Sequence, residues 1–314
     1  MRLNSCNKFN DSIKKNNQQG LFVYLNMTQS SIKRIAVTKI KDNEVAEATD
    51  ALAIEEPLEI RLEYTLNDEP EIQNISVTMR TPGNDAELAA GFLFTEGIIK
   101  NINEIAKIDY CFIACAENKE NVIRVKLNDG IIPNLQNTER NFYTTSSCGV
   151  CGKGSIAAIR TVGTFAEQKD NLAIDSEVLY QLPQILRNSQ QVFAETGGLH
   201  ASALFNLSGE LLMVREDVGR HNALDKLIGA SLQKSLLPLN NHILLLSGRA
   251  SFELVQKAVM AGIKIIAAVG APSSLAVELA AEFEITLAGF LRNRRFNIYT
   301  AGHRILFPVH ENSN

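Results

Sequence analysis

Residues 243–270 read ILLLSGRASFELVQKAVMAGIKIIAAVG, and this stretch decides the fold. Ile243-Leu244-Leu245-Leu246 is a continuous apolar run, as in a strand covered on both faces. Ser251 to Ala261 keeps helical spacing and stops at Gly262, a residue suited to the left-handed turn that ends a helix. Ile263 to Val269 repeats the buried-strand pattern. Beyond it, Ser273 or Ser274 can cap a helix through Phe283, Ile285 to Leu291 reads as a third strand, and Phe296 to Tyr299 as a fourth. A β-α-β-α-β order predicts a largely parallel sheet with right-handed crossovers.

In such sheets ligands bind beyond the carboxyl ends of the strands. Those ends are Ser247-Gly248-Arg249, Gly270-Ala271-Pro272-Ser273-Ser274 and Arg292-Asn293-Arg294-Arg295. Two carry arginine, and one opens a helix whose free N–H groups can meet a phosphate. Three loops on one edge point to an anionic ligand. A solvated surface cluster is the competing reading of the arginines.

Upstream, Ser202–Leu207 and Leu211–Arg215, joined by Ser208-Gly209, read as a hairpin. Two polar loops flank it, Thr196-Gly197-Gly198-Leu199-His200 and Glu216-Asp217-Val218-Gly219-Arg220-His221-Asn222, the second opening a helix through Ile228. His221 suits acid–base work or a ligand contact, and capping with salt bridging is the structural reading of the same residues. Glu253 can pair with Lys257 one helical turn on. Leu182, Ile185, Leu186, Ser189 and Phe193 fit one helix ending at Thr196-Gly197-Gly198.

From Ile35 to Leu135 strand signals dominate. Leu58, Ile60, Leu62 and Tyr64 alternate with Glu59, Arg61 and Glu63, and Asn67-Asp68-Glu69-Pro70 is turn chemistry. Ile75–Met79, Ile108–Cys115 and Val122–Leu127 read as further strands, with a helix capped by Asn84 or Asp85 running through Phe94. Cys111 and Cys115 share one strand face and read as core. Residues 1–33, rich in Asn, Lys, Ser and Gln, read as a mobile extension.

The chemistry-bearing stretch is Ser146-Ser147-Cys148-Gly149-Val150-Cys151-Gly152-Lys153-Gly154, ahead of a helix expected over Gly154–Val162. Only a thiolate attacks sulfur, and a lysine or a helix N-terminus lowers the thiol's pKa. A zinc site needs two more ligands. The zinc deaminases carry H-x-E before P-C-x-x-C; here no H-x-E precedes Cys148, and Ser147 stands in place of proline. The G-K-G-S piece does not meet the P-loop pattern. Sulfur or redox chemistry and metal binding both remain open on these residues alone.

The chain has 314 residues, with 31 Lys and Arg against 35 Asp and Glu, a net charge of -4. That balance argues against a nucleic-acid coat. No apolar run approaches the roughly 20 residues of a membrane span, and the polar N-terminus lacks a signal-peptide core. A cytoplasmic protein without membrane or nucleic-acid partners is expected. Five cysteines cannot all pair within one chain, so a disulfide framework is not expected.

The motifs SSCGVCGK, TGGLHASAL, EDVGRHNALDK, SGRASFELVQK and GFLRNRRFNIYT, in that order between Pro57 and Ile305, resemble the FdhD family of formate dehydrogenase accessory sulfur carrier proteins. The resemblance implies a persulfide relay. Sulfur comes from a cysteine desulfurase and passes to the bis-molybdopterin guanine dinucleotide form of the molybdenum cofactor, which then enters formate dehydrogenase. By similarity Cys148 bears the sulfur, Cys151 assists, and Phe290, Leu291, Arg292, Asn293, Arg294 and Arg295 bind the cofactor's guanine nucleotide part. No resident metal is implied. The family is homodimeric, with a core similar to the cytidine deaminase fold.

The expected architecture is α/β. A mobile extension over 1–33 precedes a smaller strand-rich N-terminal domain over 34–140, the C-x-x-C loop over 141–155, and an α/β cofactor-binding domain over 156–314. That last domain has a cytidine deaminase-like core and a mostly parallel sheet. The competing function is a cofactor chaperone whose C-x-x-C holds zinc or docks a partner.

Overall fold

A computed structural model describes residues 31–111, 121–135 and 170–308. Cys115, Cys148, Cys151 and the helix expected over Gly154–Val162 lie outside the described residues.

The six-stranded sheet is built on the opening stretch. β10 (His242–Leu246), β11 (Ile265–Ala268) and β12 (Thr286–Arg292) are parallel, joined by α5 (Phe252–Met260) and α6 (Ser274–Glu282). Ile243 and Leu245 face one core while Leu244 and Leu246 face the other, which is why the run is apolar throughout. The sheet as a whole is mixed rather than mostly parallel. β8 (His200–Asn206) pairs antiparallel with both β10 and β9 (Leu211–Asp217), and β13 (Arg295–Thr300) pairs antiparallel with β12. The order is β13-β12-β11-β10-β8-β9. A two-residue turn can join only antiparallel neighbours, so the short Asn293-Arg294 connection reverses β13.

A second sheet of four strands runs β4-β3-β6-β5. It comprises β3 (Glu56–Leu66), β4 (Glu69–Arg80), β5 (Ile105–Tyr110) and β6 (Val122–Leu127). The alternating residues Leu58, Ile60 and Leu62 are fully buried under it. Ahead of it, β1 (Ile32–Lys41) and β2 (Glu44–Ala53) form a hairpin of their own. β5 ends short of the expected strand, and Cys111 is half-buried rather than core, lying beside the Arg61 and Arg124 guanidiniums.

Between the two sheets lie α1 (Asp85–Thr95) and α4 (Arg220–Gln233), so a single core runs from Leu58 and Val125 through Leu93 and Leu227 to Leu244 and Ile266. On the far face of the large sheet, α2 (Ser176–Ser189) covers Ala203, Phe205, Leu245 and Ala267 through Leu179, Leu182 and Leu186. The single helix expected through Phe193 is two: Gln190 breaks the chain at φ -85°, ψ 88°, and α3 (Gln191–Thr196) follows. Gly197 ends it at φ 66°.

Local capping differs from expectation at α1. Asn84 is left-handed (φ 61°) and makes no side-chain cap, while the Asp85 carboxylate accepts from Arg80 Nη2 at 2.9 Å and Tyr110 Oη at 3.2 Å. Glu253 does not pair with Lys257. The lysine turns inward to Asp225 at 2.9 Å and Glu96 at 3.3 Å.

Helices α1 and α4 touch backbone to backbone. A Cβ on Gly91 would collide with the Asp225 carbonyl oxygen, and one on Gly229 with that of Glu87. An alanine in a helix normally gains up to about 1 kcal/mol over glycine, but overpacking costs about 1–3 kcal/mol, and here the collision is with main chain that cannot rotate away. Gly91→Ala and Gly229→Ala are therefore expected to lower the urea midpoint; an unchanged or raised midpoint would show that the helices separate freely.

Candidate functional site at the carboxyl edge of the sheet

The three edge loops lie side by side. Gly270 N donates to Gly248 O at 2.9 Å, Ser273 N to Ala250 O at 3.0 Å, and Phe290 N to Gly270 O at 3.0 Å. Gly197 to His200 enters β8 at the same edge, because β8 runs antiparallel to β10.

The Phe290–Arg295 segment is a bulge followed by a tight hairpin. Phe290 takes φ 56°, and the register shifts between Gly289 and Arg292. Asn293 and Arg294 take φ 53° and 52°, the double left-handed geometry whose twist matches paired strands. Leu291 is core, so the side chains presented outward are Arg292, Asn293, Arg294 and Arg295. Arg294 pairs with Glu177 at 2.7 Å, both largely exposed, and its guanidinium sits 5.0 Å from the Tyr180 ring centroid. An exposed pair of this kind contributes about 0–1 kcal/mol, so an incoming anion can displace the carboxylate.

Further along α2 is a cavity of about 440 Å³, bordered by Leu186, Arg187, Gln190, Phe193, Ser247 and Val269 among others. Arg187 lies over the Phe193 ring at 4.3 Å. Gln190 is 5 % exposed, and its amide nitrogen has no partner among the described residues. From Tyr180 to Arg187 the helix rises about 10 Å, so one helix borders both the arginine hairpin and the cavity. The two loops named from sequence supply part of its wall, Gly197 to His200 and Ser247; the α2 side was not marked, its one signal being Gln190, where helical spacing continues but the helix does not.

The two polar loops named from sequence meet where β8 pairs with β9, His200 opposite Asp217, and Gly197 to His200 also line the cavity. The motif Glu216–Lys226 splits into structural and outward-facing parts. Asp217, fully buried, accepts from Thr81 N at 3.1 Å, Gly219 N at 2.8 Å and Asn222 Nδ2 at 3.1 Å, and pairs with Lys226 Nζ at 2.7 Å. The capping and salt-bridge reading therefore holds for Asp217, Asn222 and Lys226. His221 instead reaches the start of α5, and the charges of Arg220, His221 and Arg249 act on His200. His221 Nε2 is 3.4 Å from Ser251 Oγ and 3.8 Å from Glu253. Both neighbours meet the same ring nitrogen, so this is not a relay in which serine and carboxylate use opposite nitrogens.

The charges leave a signature. His221 holds the Glu253 carboxyl down from its ordinary 4.5 to about 2, chiefly by hydrogen bonding, against the opposing effect of burial. Burial is the main cause lowering His200, followed by the positive charges of Arg220 and His221, with Arg249 adding to them and Asp217 opposing. Both groups are depressed in the folded chain, so their stabilisation is present at neutral pH. It is lost for His200 as pH falls below the ordinary 6.5 through the lowered value, and for Glu253 between 4.5 and about 2.

Fold and site together define a mixed α/β protein with cationic groups and a cavity gathered at one sheet edge. The chain belongs to the FdhD/NarQ family, whose model matches residues 53–306. It is 51% identical over 276 residues to a sulfur carrier protein FdhD of Streptomyces avermitilis, covering 87% of this chain and 95% of that one. With a sulfur carrier protein FdhD of Saccharolobus solfataricus the identity is 42% over 274 residues, covering 87% and 98%. A crystal structure of a candidate formate dehydrogenase accessory protein from Desulfotalea psychrophila superposes with a TM-score of 0.65. That match has 27% identity and covers 88% of this chain and 100% of that one. A sulfur-carrier role follows from these relatives, and among the described residues no helix is long and apolar enough to cross a membrane.

The cationic setting of His200 is open to titration. By NMR its midpoint is expected below 6.5, chiefly through burial, and Arg249→Ala should move it upward; an unchanged midpoint in the folded variant would mean that Arg249 does not act on the ring.

Proposed function

We propose that the protein accepts sulfane sulfur from a cysteine desulfurase on Cys148 and delivers it to the bis-molybdopterin guanine dinucleotide molybdenum cofactor, destined for formate dehydrogenase. Cys148 thiolate attacks the outer sulfur of the desulfurase persulfide, and the desulfurase cysteine leaves as thiolate. For delivery, Cys151 thiolate attacks the inner sulfur of Cys148–S–SH. A Cys148–Cys151 disulfide forms and the outer sulfur departs as hydrosulfide, so two cysteine sulfurs are oxidised as one sulfane sulfur is reduced. An external dithiol, or two thiols that leave as their own disulfide, then restores the pair. Lys153 favours the thiolate.

The observation that carries the reading is the pairing, on one helix, of an arginine hairpin with a cavity. The phosphates of the cofactor's guanine nucleotide end would meet Arg292, Arg294 and Arg295, with Arg294 exchanging Glu177 for phosphate. The nucleoside would extend along α2. The β10-α5-β11-α6-β12 unit suits the deaminase-like core that the family resemblance implies, and the reading includes a cytoplasmic homodimer that carries no metal of its own.

Two measurements test it. After incubation with a cysteine desulfurase and cysteine, intact mass should rise by one sulfur, reversibly under thiol reductant and not in Cys148→Ala. No gain, with stoichiometric zinc bound instead, would replace the carrier with a zinc-holding chaperone. Combined Arg294→Ala and Arg295→Ala should weaken GDP binding by about tenfold or more by calorimetry, since hydrogen bonds to charged groups contribute about 1.5–3 kcal/mol, while persulfide loading stays intact. Unchanged GDP affinity would move the nucleotide away from this hairpin.

A further inference from the structure

We propose that the free edge of β4 docks a strand of the same chain, the apolar run Leu21-Phe22-Val23-Tyr24-Leu25, laid parallel to it between Ile72 and Val77.

The edge is open among the described residues, since β4 ends the order β4-β3-β6-β5. Register shows which of its groups face outward. Glu59 N donates to Asn121 O, on the β6 side of β3. The alternate residues Leu58, Ile60 and Leu62 therefore turn their main chain toward β4, where they meet Thr78, Ser76 and Gln73. Val77 and Ile72, each next to one of those partners, aim N–H and C=O away from the sheet. Met79 shows the same direction, and its carbonyl is taken by Asn222 Nδ2 at 2.7 Å. That contact closes the edge at Met79 and leaves Ile72 to Val77 open.

Edge strands are normally blunted by charge, lysine above all. β5, the other edge of this sheet, carries Lys107 and Asp109. From Ile72 to Met79, β4 carries no charged residue. Ile72, Val77 and Met79 are 55 %, 59 % and 47 % exposed, and all three lie on the face shared with Glu63, Glu59 and Pro57 of β3. An unguarded apolar edge is a template for a further strand.

The entry point of the chain says what covers it. Residues 1–30 lie outside the described residues. They lead into Ser31, whose hydroxyl donates to the Pro82 carbonyl at 2.9 Å and whose carbonyl accepts from Ile54 N at 2.9 Å. Pro82 stands just beyond the end of β4. In a tract rich in Asn, Lys, Ser and Gln, Leu21–Leu25 is a run of five apolar and aromatic residues between Gly20 and Asn26, the composition of a strand. Leu25 and Leu21 precede Ser31 by about 20 and 33 Å of extended chain, and Val77 and Ile72 precede Pro82 by about 17 and 33 Å. The lengths match with both segments running toward the same end, hence parallel. β1, β2 and β3 intervene, more chain than a parallel connection needs. Charge agrees as well. Residues 1–20 hold Arg2, Lys8, Lys14 and Lys15 against Asp11, and Lys14 and Lys15 fall toward the exposed Asp68, Glu69 and Glu71 at the β3–β4 turn. The extension then guards the edge, and a chain beginning at Met27 lacks the guard.

The test is amide hydrogen exchange by NMR on the full chain and on a chain beginning at Met27, with thermal unfolding reporting whether each is folded. Ile72 and Val77 should exchange about tenfold or more slowly in the full chain. Ser76 and Thr78, already bonded to β3, should stay slow in both. Val23→Lys in the full chain should speed Ile72 and Val77 to the unguarded rate, which decides the matter if the shortened chain does not fold. The proposal fails if Ile72 and Val77 exchange equally in the full chain, the folded shortened chain and Val23→Lys. It fails too if their protection falls on dilution while light scattering shows dissociation, which would assign the edge to a second copy of the chain.

Discussion

The Asp217 carboxylate is the constraint on which the edge depends. It lies at the end of β9 and ties together the Thr81 turn of the N-terminal sheet, the Gly219 start of α4, and Asn222 and Lys226 within that helix. Lys226 in turn donates to the Thr81 carbonyl at 2.8 Å. A buried ion pair is weak evidence for net stability, because desolvation offsets its Coulomb energy. What it does supply is position. With every lone pair of Asp217 engaged, the first turn of α4 has one orientation, which holds His221 at the start of α5.

A second buried hub repeats the device deeper in the fold. Lys257 on α5 reaches Asp225 on α4, and Thr95 and Glu96 at the end of α1. Asp225 also accepts from Thr95 at 2.8 Å. These contacts lie on the helix pair whose Gly91 and Gly229 allow main-chain contact. Three helices are thus locked by polar groups that cannot be exchanged for solvent without leaving a charge unpaired, a loss of about 3–5 kcal/mol. The opening stretch belongs to this frame at both ends: Leu244 and Leu246 pack into the core beneath α5, and Arg249 emerges just before it.

What the sequence revealed was local, and what it hid was long-range. Four consecutive apolar residues at 243–246 announce a strand buried on both faces, and both faces are covered. The same run says nothing about which strand pairs on the other side, so the antiparallel neighbour β8 was not legible and the sheet is mixed. An i,i+4 spacing made Lys257 a partner for Glu253, but α5 turns that position toward Asp225, where burial decides over helical proximity. Cys111 looked like core by alternation; it sits at a strand end beside two guanidiniums. The edge loops were readable because strand ends with Gly, Ser and Arg have one place to go in a β-α-β unit. The meeting of His200 with Arg220 and Arg249 was not readable, since it needs the register of β8 against both β9 and β10.

The disposition of charge follows from these constraints. A chain with more acid than base on balance has no general attraction for anions, so any anion affinity must come from a few cations kept free of the acids. The fold does this by topology. Acids available inside are spent on Arg80, Lys226, Lys257 and Arg304. Arg249 and the Arg292–Arg295 hairpin are carried past the carboxyl ends of β10 and β12, and Arg220 past the end of β9, which lies at the same edge. Strand direction, set by apolar pairing in the core, therefore fixes where positive charge accumulates.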